Sequence, residues 1–239
     1  MSGDETRGTD ATPAGPVEFV EPAPGLERAA AVALFGDRLT LATRYATLLT
    51  TTGISHGLVG PREAPRMWSR HLLNCAALVD LLPPKGTLAD VGSGAGLPGL
   101  VLAVARPEVQ VTLIEPLERR VRWLEAVCAD LALENATVLR ARAEEVQERF
   151  DIVAARAVAP LGTLARWCLP LLRPGGSLLA MKGASASEEL ARARPVLRSL
   201  RAEQVRIQTC GAGLIDPPTT VVVVGAPSTP PRRKRPHQA

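Results

Sequence analysis

The stretch Asp90-Val91-Gly92-Ser93-Gly94-Ala95-Gly96-Leu97-Pro98-Gly99 decides how the rest of this chain reads. It follows a break at Pro83-Pro84-Lys85-Gly86 and the short run Thr87-Leu88-Ala89, whose composition suits a strand buried on both faces. Gly99 to Arg106 then continues as a helix, with Pro98 near its first turn, where a missing N–H costs little. A glycine-rich turn between a buried strand and a helix brings backbone N–H groups and a helix N-terminus close to a ligand. Gly92, Gly94 and Gly96 remove the side chains that would block that approach.

Downstream of the loop the chain alternates strand and helix. Val109–Glu115 reads as a second strand, Leu117–Leu133 as a helix, Ala136–Arg140 as a third strand and Phe150–Ala155 as a fourth. Ala159–Leu172 is helical. Pro174-Gly175-Gly176 turns into a fifth strand at Ser177–Lys182, and Ser187–Leu200 is again helical. Gln204–Thr209 and Thr219–Val224 are the last strands, too close for a helical crossover, so they pair antiparallel. The expected fold is α/β, a doubly wound seven-stranded sheet whose last strand is antiparallel.

Upstream lies a helical layer. Leu26, Ala29, Ala30, Ala33 and Leu34 share one helical face, as do Leu41, Tyr45, Leu48 and Leu49, and Arg62 to Leu82 reads as a further helix pair. Four segments result: a disordered tail over 1–16, a helical extension over 17–82, a ligand-binding domain over 83–225 and a basic tail over 226–239.

The formal net charge of +4 is spread unevenly: residues 1–21 carry −4, Arg232-Arg233-Lys234-Arg235 carry +4, and the body between carries +4. That balance permits a nucleic-acid partner without demanding one. No apolar run approaches the ~18–20 residues of a membrane span, and the N-terminus lacks the basic and apolar regions of a signal peptide. The expectation is a soluble cytoplasmic protein. Cys75, Cys128, Cys168 and Cys210 have no metal-ligand or redox spacing and read as free buried thiols, and His56, His71 and His237 are too scattered for a metal site.

Two cofactors compete for the glycine loop. Gly94, Gly96 and Gly99 satisfy G-x-G-x-x-G, with Glu115 placed like the ribose-binding acid of an NAD-dependent oxidoreductase. That pattern leaves Asp90 and Gly92 unexplained. An acid closing the first strand, followed by G-x-G-x-G, resembles the first motif of class I S-adenosylmethionine (SAM) methyltransferases. In that resemblance the loop containing Asp90, Gly92, Gly94 and Gly96 wraps the amino-acid end of the cofactor, and Glu115 holds the ribose hydroxyls.

A more specific resemblance accumulates along the chain. Arg70-His71-Leu72-Leu73-Asn74, the glycine loop with its Leu-Pro-Gly ending, Leu113-Ile114-Glu115, Arg119-Arg120-Val121-Arg122-Trp123-Leu124, Arg142-Ala143-Glu144-Glu145, Arg156-Ala157 and Lys182-Gly183 occur in the order found in the RsmG (GidB) family. The resemblance covers roughly residues 40–225. It implies SAM-dependent methylation of guanine N7 in the 530 loop of 16S rRNA, with the rRNA or the 30S subunit as partner, no metal and a monomeric enzyme. It also implies cofactor contacts from Gly92, Leu97, Ala143, Glu144 and Arg156. His56-Gly57-Leu58 and Asn74 depart from the family pattern.

Alongside that resemblance several residues keep two readings. Glu144 is either an adenine contact or an acid complementing a helix dipole. Arg119, Arg120 and Arg122 are either a solvated helix face or phosphate contacts. His71 sits on an apolar helical stripe and is either a packing residue or a catalytic one. Arg70 and His71 are grouped with the three arginines and Lys182 on the RNA side, and Arg156 and Lys182, both ending strands, are the candidate catalytic residues. Rivals are a SAM-dependent enzyme of another substrate and the NAD-dependent oxidoreductase.

Deleting residues 1–16, which have little apolar surface to bury, is expected to leave the thermal midpoint within about 1 °C of the full chain, measured by calorimetry.

Overall fold

The computed structural model describes residues 18–228; the expected tail over 1–16 and the basic run Arg232–Arg235 lie outside them. Seven strands form one sheet in the order β3-β2-β1-β4-β5-β7-β6. They are β1 (Gly86–Val91), β2 (Val109–Ile114), β3 (Ala136–Leu139), β4 (Phe150–Arg156), β5 (Leu172–Lys182), β6 (Glu203–Cys210) and β7 (Thr219–Gly225). The first five run parallel, and β7 is antiparallel to both of its neighbours. The expected strands are all present. The largest difference is β5, which begins at Leu172 and carries the expected Pro-Gly-Gly turn within its irregular first half.

The central strands are apolar on both faces because both faces are covered. Leu88, Ile152, Ala154, Leu179, Val221 and Val223 point to one side. Ala89, Val91, Val153, Ala155, Leu178, Ala180, Val222 and Val224 point to the other. The second side is closed by α6 (Leu161–Cys168) and α7 (Ala186–Ser199) through Leu161, Leu164, Leu190 and Leu197. The first side is closed by α4 (Gly99–Ala105), α5 (Glu118–Asp130) and the N-terminal helices α1 (Leu26–Phe35) and α2 (Leu39–Leu48). Tyr45, Leu49, Leu72 and Leu78 enter the same core as the sheet residues, so the described part of the helical extension, 18–82, is a layer of this fold with no core of its own.

That layer departs from regular α-helix. Beyond α2 the chain widens into a π-helical turn at Leu49–Gly53. Residues expected as a helix pair form a 3-10 turn (Pro61–Arg66), a π turn (Met67–Leu72), the short α3 (Leu73–Ala76) and another 3-10 turn (Ala77–Leu81). Around the first widening, the hydroxyls of Thr47, Thr50, Thr51 and Thr52 donate to carbonyls four residues back. Such bonds compete with the helix ladder. Further on, Pro65 withholds a backbone donor.

Side chains tie the layer to the sheet at several points. Arg44 donates to the Asp130 carbonyl (2.9 Å) and pairs with its carboxylate (3.1 Å), and the Trp123 indole donates to Thr52 Oγ1 (3.1 Å). The Thr219 hydroxyl meets the Asn74 backbone carbonyl (2.9 Å) and its side-chain Oδ1 (3.1 Å), the second contact giving that departure from the family pattern a bracing role at the start of β7. At the other end, Ala226 is buried and donates to the Gly176 carbonyl (2.8 Å), so the fold continues past the expected boundary at 225.

The deepest tie is Tyr45, 1% exposed, whose hydroxyl donates to the Ala95 carbonyl at 2.5 Å. Burial raises this phenol well above its ordinary range, which keeps the proton in place. Removing the donor strands a buried carbonyl, so Tyr45→Phe is expected to lose about 1–3 kcal/mol of stability by urea unfolding, with the slope unchanged.

Candidate active site

Continuing the strand registers past their ends places four positions in one row. Val91 pairs with Ile114 and Ile114 with Leu139, so Gly92, Glu115 and Arg140 follow side by side. Asp90 pairs with Ala154 across the β1/β4 switch, which sets Arg156 beside Gly92. This is the carboxyl edge of a parallel sheet at the point where strand order reverses, the standard location for a ligand. Two cavities open there, about 670 and 330 Å³, both lined by Gly92, Arg120, Arg156 and Ala157. Glu115, Ala143, Glu144 and Trp167 belong to the larger one, and Gly94, Leu97, Leu58, Glu63 and His71 to the smaller.

The glycine loop between them is held from beneath. Asp90 is completely buried, and its Oδ2 accepts the Gly99 N–H at 2.9 Å, joining the end of β1 to the start of α4. Burial pushes its carboxyl up to about 7, and Oδ1 has no partner. Gly99 must be glycine, since a Cβ would meet Asp90 Oδ2 at 2.6 Å. Gly92 has φ +70°, and its Cβ would meet Val158 at 2.8 Å. Asp90 therefore shapes the loop from beneath, and it lines neither cavity.

Glu115 is 1% exposed, yet its carboxylate forms cavity wall. Oε2 accepts from Gly94 N (2.9 Å) and Oε1 from Leu117 N (3.0 Å), while Arg120 Nη1 stands 3.7 Å from Oε2. A carboxylate offers about four acceptor positions, so two remain for hydroxyls of a bound ribose. Arg120 lines both cavities. Two adjacent cavities inside the usual ligand range of roughly 300–1,000 Å³, with a polar acid at one wall and a guanidinium shared by both, fit a nucleoside carrying an amino-acid arm.

Arg156 is likewise shared by both cavities. Its Nη2 lies 2.7 Å from His71 Nδ1 and 3.4 Å from the Arg70 carbonyl, and its Nη1 lies 3.3 Å from Cys75 Sγ. The other face of the imidazole meets Glu63, with Nε2 to Oε2 at 2.8 Å. Glu63 also pairs with Arg66 at 2.9 Å and with Arg70 at 3.6 Å. The hydrogen bond from His71, helped by the two arginines, lowers the Glu63 carboxyl. Burial and then the Arg156 cation lower the His71 imidazole, against the opposing pull of Glu63. Glu63 was not visible as a site residue in the sequence; its one signal is an acid upstream of the Arg-His pair.

The remaining candidate residues are not all brought to the two cavities. The arginine triplet divides: Arg120 joins the cavities, whereas Arg119 and Arg122 line a separate groove of about 870 Å³ with His56 and Trp123, and Arg122 is paired with Glu118. On one helix face the triplet could not have stayed together, because α5 turns 100° per residue. Lys182 also ends its strand at the active edge, but its ammonium is held by the Ala159 carbonyl (3.0 Å) and Glu189 (2.7 Å), and it lines neither cavity. In this structure it braces the segment after β4. Among the described residues no group of three or more His, Cys, Asp or Glu could hold a metal, and the four cysteines are free. No described helix is long and apolar enough to cross a membrane.

Sheet order, antiparallel β7, acid-closed glycine loop and ribose-side glutamate together define the class I SAM-dependent methyltransferase fold and set aside the NAD reading, which expects six parallel strands. The solved structure of P. horikoshii TYW2 in complex with MeSAdo shares this fold, with a TM-score of 0.54, 11% identity and 66% and 63% of the two chains covered. So does a SAM-dependent methyltransferase from Aquifex aeolicus, with a TM-score of 0.50, 16% identity and 73% and 97% covered. Residues 38–217 match the family model described as rRNA small subunit methyltransferase G. The chain is 53% identical over 228 residues to the ribosomal RNA small subunit methyltransferase G of Salinispora tropica, covering 90% of this chain and 94% of that one. It is 51% identical over 217 residues to the Thermobifida fusca protein of the same name, covering 85% and 92%. The chain belongs to the rRNA small subunit methyltransferase G family.

Because Glu115 braces Gly94 and leaves acceptor positions open on the cavity wall, Glu115→Ala is expected to weaken SAM binding roughly tenfold or more by calorimetry. Unchanged affinity would reject its role.

Proposed function

We propose that this chain methylates N7 of a guanine in the 530 loop of 16S rRNA with SAM as donor, as a monomer in the cytoplasm, and without a general base. Family membership supports the rRNA substrate. The observation that carries the mechanism is His71: Nε2 is engaged by Glu63 and Nδ1 by Arg156, so neither nitrogen is free to take a proton from a substrate. Asp90 is sealed under the loop, and Glu63 is already bonded to His71 and Arg66. The acids and the imidazole around the smaller cavity are thus spoken for by the protein itself.

Such a site suits a nucleophile that needs no deprotonation. Guanine N7 carries a free lone pair on the Hoogsteen edge, the edge an unstacked loop base can present to a protein. When bound, the cofactor supplies a methyl group on a positively charged sulfur, which a neutral lone pair can accept directly. The residues then contribute placement. Gly92, Gly94 and Leu97 set the floor, Glu115 and Glu144 the nucleoside end, and Arg120 and Arg156 the junction between cofactor and base. Arg70, exposed beside Glu63, stands at the rim on the side from which RNA would approach.

Single-turnover transfer of labelled methyl to 30S subunits, followed by mass spectrometry of the digested rRNA, is expected to yield 7-methylguanine. Between pH 7 and 9 the wild-type rate should stay within about twofold. A general base contributes roughly 10²–10⁴-fold. A rate rising tenfold per pH unit and abolished in His71→Gln would overturn the base-free mechanism.

A further inference from the structure

We propose that His71 is a positioning residue, whose neutral ring uses the Nδ1 lone pair to hold the Arg156 guanidinium across the junction of the two cavities, so that cofactor affinity depends on the protonation state of this one imidazole. This rests on the reading of those cavities as the SAM site.

The argument begins with hydrogen-bond inventory. A guanidinium has donors only, so the His71 nitrogen 2.7 Å from Arg156 Nη2 must be an acceptor. The ring's proton therefore sits on Nε2, where Glu63 accepts it at 2.8 Å. One tautomer satisfies both neighbours and the other satisfies neither. The remaining contacts of Arg156 are weaker: a thiol sulfur at 3.3 Å and a carbonyl at 3.4 Å. The imidazole is the short bond that fixes the plane of the guanidinium, and Arg156 lines both cavities.

Charged and titratable groups face the ring from every element around it. Glu63 comes from the 3-10 turn with Arg66 behind it, Arg70 lies on the ring's own π turn, Arg156 ends β4, and the Cys75 thiol of α3 touches Arg156. A second proton on His71 would go to Nδ1, placing N–H against N–H and adding a cation beside Arg156. Burial and Arg156 accordingly lower the imidazole from its ordinary value near 6.5. With the folded value below the unfolded one, the unfolded chain binds the extra proton first. Stability and the Arg156 contact are both complete above about pH 6.5 and are lost as pH falls through the lowered value.

Two substitutions separate the two sides of the ring. His71→Asn puts an amide oxygen near the place of Nδ1, keeping an acceptor for Arg156. His71→Gln puts an amide near the place of Nε2, keeping a donor to Glu63 and losing the acceptor. SAM affinity by calorimetry from pH 5 to 8 is expected to fall on the acid side in the wild type only. At pH 8, His71→Asn should bind within about threefold of wild type and His71→Gln roughly tenfold or more weakly. In the cofactor-free wild type, imidazole ¹⁵N–¹H spectra should show His71 protonated on Nε2, assigned by loss of its signals in His71→Asn. Equal affinities of the two variants, an acid-side loss that persists in both, or a proton on Nδ1 would overturn the proposal. A wild type that binds no SAM at any pH would instead reject the cofactor reading, and the tautomer measurement still decides the positioning role.

Discussion

The Asp90 carboxylate beneath the Gly99 N–H is the bond on which the site's shape depends. It joins the last buried turn of β1 to the first turn of α4, with the glycine loop strung between. A charge buried without a direct counter-cation is costly, which is why its carboxyl rises to about 7; its second oxygen has no partner among the described residues. The carboxylate is needed there because an apolar side chain would leave the Gly99 N–H without a partner. The acid at this position is a structural member of the loop, tying its two ends together.

A second layer of support comes from outside the sheet domain. Tyr45 from α2 fixes Ala95 from one side of the loop, and His71 from the π turn fixes Arg156 from the other. Both side chains are almost fully buried, so the N-terminal helices share the core and the site of the sheet domain. This explains why those helices can be irregular without being loose. Their widened turns sit where threonine hydroxyls and Pro65 weaken the ladder, while packing against α4 and the sheet supplies the order that local propensity does not.

How much of this was legible in the sequence follows from the range of the interactions involved. The seven strands, the acid-closed loop and Glu115 are set by periodicity and by motifs a few residues long, and these survive without tertiary information. The surroundings of Lys182 and the division of the arginine triplet between cavities were not legible, because strand ends and helix faces are shared by several neighbours. A lysine at a strand end finds whichever carbonyl and carboxylate the next helix brings, here Ala159 and Glu189. The irregular turns of segment 61–81 escape a 3.6-residue template, since 3-10 and π geometry rotate the apolar stripe in opposite senses and nearly cancel, so Met67, Trp68, His71, Leu72, Cys75 and Leu78 are buried as on a regular helix. Glu63 was invisible because its meaning lies entirely in His71 and the arginines it meets in space.

On the proposed reaction, positioning suffices because little charge has to be created. Moving a methyl group from a sulfonium to N7 passes one positive charge from donor to base, leaving the total within the cavities unchanged. Arg120 and Arg156 therefore need not be offset by a new anion at the transition state, and a fixed cation near the junction is tolerable when its field acts on both ends of the transfer. What the site cannot tolerate is a guanidinium that wanders between the two cavities, since its field would then favour one end over the other. The neutral His71 ring, held at a fixed angle by Glu63, meets that requirement: it anchors a cation without adding charge of its own.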